Sequence, residues 1–274
     1  MLTETKRPSR GPRRRRGLAV LSGAVTLLTA GTITFAIPAA ADQSDGGTYR
    51  VYATREGLVG ATTANGHVIT PNDHFVALPS RRALSADGSG AYSVRVCAPS
   101  TGRCEYAPVW DVGPWNTQDD YWSATRHYAQ DLPQGTPAAQ AAYTSGYNGG
   151  LDAWGRTVLN PAGVDLADGT FGDGLGLADN ATVDVTFLWQ GDARTGVVAS
   201  PTRPLNVRSG PSTGYRAVGL AANTAQVPLL CHARGQTVSG TRGTTNLWYR
   251  IGDGHWVSDA YLITGTGLPV APPC

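Results

Sequence analysis

The sequence predicts an all-β protein built from two small barrels in tandem. Three observations point there. Glycine (35) and proline (18) punctuate a chain of 274 residues, cutting it into runs too short for long helices. The runs between are β-branched and aromatic, and several alternate apolar with polar residues as a half-buried strand does. The pattern stops and restarts across 191–203, a stretch with the composition of a linker. At about 100–200 residues per domain, the length admits one or two domains.

From the N-terminus, Lys6, Arg7, Arg10 and Arg13 to Arg16 form a basic head before the apolar run from Gly17 to Ile37. Ala39-Ala-Ala41 then offers a small-residue cleavage site, so residues 1–41 read as a secretory signal peptide. A membrane anchor is the competing reading, and Gly, Thr and Ser dilute the run against it. General and twin-arginine export both stay open. No later segment is apolar enough to span a membrane, so the mature chain is expected to be secreted, extracellular or wall-associated.

The whole chain carries a net charge of +2, but the signal holds seven of its 22 basic residues and one acid, Glu4. Beyond it stand 15 basic and 19 acidic residues, a net of −4. A nucleic-acid partner thereby loses its main electrostatic argument. All 15 of those basic residues are Arg, which with the many Ala and Gly suggests a GC-rich genome of the actinobacterial type.

The first barrel is expected over 46–190. Thr48 to Thr54 alternates, with Tyr49, Val51 and Ala53 on one face. His74 to Leu78 is a short apolar strand stopped by Pro79. Tyr92 to Val96 and Glu105 to Trp110 read as a hairpin, and Thr182 to Trp189 closes the domain. Between them, 116–163 is a long helical and loop insertion, functional or a packed elaboration. Within it Thr136 reads as an N-cap with Pro137 at the first helical position. A short helix is expected over 168–177. After the linker, 204–274 reads as a second, smaller barrel. Its strands are Leu205 to Arg208, Ala225 to Cys231, Trp248 to Ile251 and His255 to Ser258, with Leu205 and Val207 inward and Trp248 and Trp256 as barrel aromatics.

Four cysteines in an exported chain suggest two disulfides, with three possible pairings. Cys97 and Cys104 bracket a hairpin turn, which leaves Cys231 with Cys274. There is no C-x-x-C, and His67, His74, His127, His232 and His255 lack ligand spacing, so neither metal nor cofactor is expected.

Two resemblances follow from motifs. Leu205-Asn-Val-Arg-Ser-Gly-Pro-Ser212, Trp248-Tyr-Arg-Ile251 and Gly254-His-Trp-Val-Ser-Asp-Ala-Tyr-Leu262 resemble bacterial Src-homology-three domains. That resemblance implies a peptidoglycan-binding module, with Tyr215 and Tyr261 as surface candidates for ligand contact. Earlier, Thr62-Thr-Ala-Asn-Gly66, Val109-Trp-Asp-Val-Gly-Pro-Trp115 and Gly163-Val-Asp-Leu-Ala167 occur in the order of T-A-N-G, N-D-R-G-P-F and I-D-L-S. These motifs resemble the rare lipoprotein A and expansin families, which implies a six-stranded double-psi β-barrel. By that resemblance Asp111 is the catalytic-type acid, and Thr63, Asn65 and Asp165 belong to the sugar groove. Trp115, Trp122 and Trp154 would supply stacking planes.

Two departures matter. The acid that follows T-A-N-G in the transglycosylases is His67 here, and the Arg after the catalytic-type Asp is Val112. His67 or Asp73 could serve as base, yet the missing acid leans the reading toward non-lytic behaviour. The sequence therefore predicts a secreted monomer that binds peptidoglycan or another wall polysaccharide and remodels it without hydrolysis. The alternative is a lytic transglycosylase with Asp111 as general acid. A third reading, from the pinned loop at 97–104, is an interaction protein of the protease-inhibitor kind.

Overall fold

The computed structural model describes residues 46–274, so the expected signal peptide lies outside the described residues. Six strands close a barrel: β1 (Thr48–Arg55), β2 (Val76–Leu78), β3 (Ser93–Ala98), β4 (Arg103–Val112), β5 (Ala162–Leu166) and β6 (Ala181–Phe187). The ring runs β1–β5–β2–β4–β3–β6 and back to β1. The pairs β1–β5 and β2–β4 are parallel, and the other four are antiparallel.

The alternation seen in the sequence explains which residues fill it. Val51 and Ala53 of β1, Val94 and Val96 of β3, and Val183 and Val185 of β6 all point into one core. Each buried Val side chain stabilises by about 1.5–3 kcal/mol relative to exposure. The hairpin β3–β4 is in the expected register, with Cys97 opposite Cys104 and bonded to it.

The insertion 116–163 is a packed elaboration. Its helix α1 (Ala138–Ser145) begins later than expected: Pro137, not Thr136, is the N-cap, and no side chain caps from that position. Asp119 does the work instead. Its Oδ2 accepts the Ala138 N–H at 2.6 Å, while its Oδ1 pairs with Arg126. Arg126 also donates to the Tyr128 and Thr136 carbonyls. Burial pushes the Asp119 carboxyl up to about 6, against the pull of Arg126. The helix expected over 168–177 is a single π turn at Thr170–Gly174.

The remaining strands are β7 (Thr195–Val198), β8 (Leu205–Arg208), β9 (Ala217–Ala221), β10 (Gln226–Pro228), β11 (Cys231–Gly240), β12 (Gly243–Gly252), β13 (His255–Ser258) and β14 (Leu262–Ile263). They pair in the order β11–β12–β13–β8–β9, with β7 between β10 and β14 in a smaller sheet. The stretch read as a linker therefore contains a strand. Leu205, Val207, Val227, Leu247, Tyr249, Ile251 and Val257 pack a second core. Trp248 is buried as expected, whereas Trp256 is only partly covered. Cys231 is bonded to Cys274, and the Cys274 N–H donates to the His232 carbonyl at 3.0 Å.

The two cores are joined through β4. Its Cys104, Glu105 and Tyr106 lie parallel to Gly219, Leu220 and Ala221 of β9. Glycine is required at 219, because a Cβ there would sit 1.9 Å from the Cys104 carbonyl oxygen. Tyr106 enters the second core, donates its hydroxyl to the Ile251 carbonyl at 3.1 Å, and lies 2.8 Å from His255 Nδ1. Burial first, and then Arg95, hold His255 down at about 4.

Candidate functional site: a carboxyl cluster at the strand ends

Asp111 and Asp165 are brought together by β2. Ala77 is the register partner of Asp111 on β4 and of Asp165 on β5. Register partners point to the same face, and each strand step is about 4.8 Å. The two aspartates thus flank a methyl group, with nothing larger between them. Asp165 also faces Thr54 of β1, whose hydroxyl donates to Oδ1. Its carboxyl is pushed up to about 6 by burial, with Thr54 opposing and Asp111 adding to the shift.

A third carboxyl completes the group, and the sequence reading did not single it out. Glu56 follows the last residue of β1, and its N–H donates to the Leu166 carbonyl at 2.9 Å. Its Oε2 is buried without a hydrogen-bond partner among the described residues. Burial, then the facing Asp111, push Glu56 up to about 9. Glu56 is therefore a neutral acid at pH 7, a proton donor facing an acceptor. Only the parallel pairing of β1 with β5 places it there. Next to it, Asp168 is held below the usual carboxylate range by the Arg55 guanidinium 2.7 Å away.

Asp111 is fixed as an acceptor. Its Oδ1 takes N–H groups from Ala64 at 2.8 Å and Val112 at 2.7 Å. Ala64 lies in the T-A-N-G turn, which closes through Gly66 N–H to the Thr63 carbonyl at 3.0 Å. Thr63 donates its hydroxyl to Asn65 Oδ1 at 2.6 Å, and both side chains receive the His67 N–H. Thr63 and Asn65 thus build the turn that presents Ala64 to Asp111.

His67 and Asp73 form a separate pair, 2.6 Å apart, with Asp73 also held by the Thr70 hydroxyl and N–H at 2.7 Å each. His67 lies against Trp110, with ring centroids 4.9 Å apart. This pair lines a cleft of about 430 Å³ with His74, Trp110 and Asp173 on one wall and Arg203 and Asn223 on the other. Neither Asp111 nor Glu56 lines it, so the expected trio of Asp111, His67 and Asp73 divides between two places. His74 bonds to the fully buried Glu105 at 2.9 Å. Burial alone would lower His74, but Glu105 raises it overall.

The expected aromatic planes fare unequally. Trp122 is 4% exposed and stacks on Phe187 at 4.7 Å in the core, which removes it as a ligand surface. Trp115 packs against Ala139, Ala142 and Val158 and donates Nε1 to Asn160 at 3.1 Å, bracing the insertion. Trp154 is 64% exposed. Tyr215 is half exposed and lies across Gly210, while Tyr261 lines a cleft of about 170 Å³ with Arg208 and Trp248. No cluster of His, Cys, Asp and Glu among the described residues has the geometry of a metal site.

Residues 47–186, just over half of the chain, match the family described as Domain of unknown function (DUF8814). Two Bacillus subtilis (strain 168) proteins named as uncharacterized are similar over a shorter span. YraI is 36% identical over 86 residues, 28% of this chain and 72% of that protein. YraJ is 38% identical over 89 residues, 28% of this chain and 73% of that protein. Two solved structures of Clavibacter michiganensis expansin also align over 82% of this chain and 93% of theirs. One is a mutant in complex with cellohexaose, at 11% identity and a TM-score of 0.26, and the other is the apo protein, at 12% and 0.28.

Proposed function

The chain belongs to the DUF8814 family, and we propose that it is a secreted protein that binds cell-wall polysaccharide, with peptidoglycan as the ligand class, and loosens it without hydrolysis. One observation carries this reading: three carboxyl groups, Glu56, Asp111 and Asp165, converge where the strands of a closed barrel end, and burial pushes Glu56 and Asp165 above the ordinary carboxylate value. A neutral Glu56 can donate, and Asp111 can accept, to neighbouring hydroxyls of one sugar. In this reading the barrel is of the double-psi type. The second half is a Src-homology-three-like module holding the wall through Tyr215 and Tyr261, and residues 1–41 are removed on export. Two disulfides suit an oxidising compartment.

The test is sedimentation with purified sacculi, together with mass spectrometry of the supernatant. Wild type should sediment and release nothing. Asp111→Asn should bind more weakly by about 1–3 kcal/mol, the worth of a hydrogen bond to a charged group. Failure of wild type to sediment would overturn the reading.

A second reading is favoured by the split between Glu56 and Asp111, which is also the arrangement of an acid and a base. In a lytic transglycosylation Glu56 would give its proton to the glycosidic oxygen. Asp111 would take the proton of the muramic acid 6-hydroxyl, which closes the anhydro ring without water. This reassigns the acid: Asp111, with two N–H groups donated to one oxygen, is placed to accept. Anhydro-muropeptides made by wild type and lost in Glu56→Gln would establish it.

A further inference from the structure

A second recognition surface lies on the insertion, away from the carboxyl cluster. Trp154 stands out from a tight loop. Asp152 Oδ1 accepts the N–H groups of Trp154 at 2.9 Å and Arg156 at 2.8 Å, and its Oδ2 pairs with Arg156 at 2.6 Å. Asn116 Oδ1 accepts the Ala153 N–H at 2.9 Å. These bonds fix the loop backbone, and the Trp154 indole that it carries, 64% exposed, presents a flat apolar face to water. It forms one side of an open cleft of about 550 Å³, lined besides by Ser80, Arg81, Arg82, Thr117, Gln118 and His127.

The cleft is built. Arg81 N–H donates to the Thr117 carbonyl at 3.1 Å, and Ser80 bridges to Gln118. The buried Asp120 holds Arg82 at 2.6 Å and the His127 N–H at 2.7 Å. It is also cationic in a chain whose exported part is net acidic. Arg82 is neutralised by Asp120, but the exposed Arg81 guanidinium has no side-chain partner among the described residues, and no carboxylate lines the cleft.

An exposed aromatic plane beside a free guanidinium selects a ring with an acid group attached. The overall acidity disfavours a polyphosphate backbone, which needs many cations along its length. We propose that this cleft binds an anionic polysaccharide, a uronic-acid type chain, with a sugar ring on Trp154 and its carboxylate on Arg81. The inference stands on other residues than the carboxyl cluster and holds whether or not peptidoglycan binds there.

Calorimetry of the full chain with an oligogalacturonate, its methyl ester and a single-stranded oligonucleotide tests it. The acid should bind, with the ester at least tenfold weaker. Arg81→Gln should lose about tenfold for the acid and little for the ester, and Trp154→Ala should lose both. Both side chains are exposed, so melting temperatures should stay at the wild-type value and confirm that loss is not unfolding. Equal affinity for acid and ester, wild-type binding by either variant, tighter binding of the oligonucleotide, or no binding by wild type would each overturn the proposal.

Discussion

Glu56 should destabilise the protein at neutral pH, and Glu56→Gln should reveal by how much. In the folded chain the carboxyl is pushed from 4.5 to about 9. In the unfolded chain it ionises near its ordinary value. Between those two values the folded state holds one more proton than the unfolded state. Stability therefore falls as pH rises, by about 1.4 kcal/mol per pH unit. The full contribution is present below the unfolded value, and about 3 kcal/mol of it is gone by pH 7. Gln keeps the shape and does not titrate. Glu56→Gln should match wild type near pH 4 and exceed it by about 3 kcal/mol at pH 7. Urea unfolding of both proteins at pH 4, 5.5, 7 and 8.5 measures the difference, in which every other titrating group cancels. Parallel stability curves would show that Glu56 ionises in the fold, and the donor role assigned to it would go with that.

Three further outcomes follow from packing and connectivity. Cys231→Ser opens a loop with a sequence separation of 43, to which chain entropy assigns about 4 kcal/mol. Cys97→Ser opens one of seven, about 2.4 kcal/mol, so the first variant should melt lower; equal melting points would refute the loop argument. Trp122→Ala empties a core position and should cost about 3–5 kcal/mol by urea titration, where a surface role would leave stability near wild type. Ala77→Leu pushes a branched side chain between Asp111 and Asp165, which should cost about 1–3 kcal/mol and abolish binding to sacculi; unchanged binding would show that the two aspartates do not act together.

Strands that alternate were legible because a barrel buries one face, so Thr48 to Thr54 and Thr182 to Phe187 wrote their orientation into their residue order, while the expected continuation to Trp189 is a 3-10 turn over Leu188–Gln190. The Cys97–Cys104 hairpin was legible because its turn is local. What failed was coupled to distant contacts. Strand β7 lies in a stretch of linker composition because its partners, β10 and β14, come later in the chain. Only Cys231 of β11 is buried and the rest is half-buried or exposed, so the strand has no apolar face to write into its sequence. The cap of α1 comes from Asp119, 19 residues upstream. Trp122 looks like any other tryptophan in a loop until Phe187 is laid over it.

The same division runs through the candidate site. Asp111 and Asp165 could be singled out as candidates because each sits in a motif, and the T-A-N-G turn because it is made by neighbours. His67 stands at the position of an acid in that pattern, so the T-A-N-G turn lacks the carboxyl expected there. The register of β1 against β5 brings one from another strand. The chain passes Asp165 beside Thr54, and two residues later it reaches Glu56, which faces Asp111. A residue type lost at one place in a motif is therefore not a group lost from the site. What the chemistry needs is a carboxyl kept neutral beside one that accepts. Burial at the end of a barrel strand provides that wherever along the sequence the carboxyl comes from.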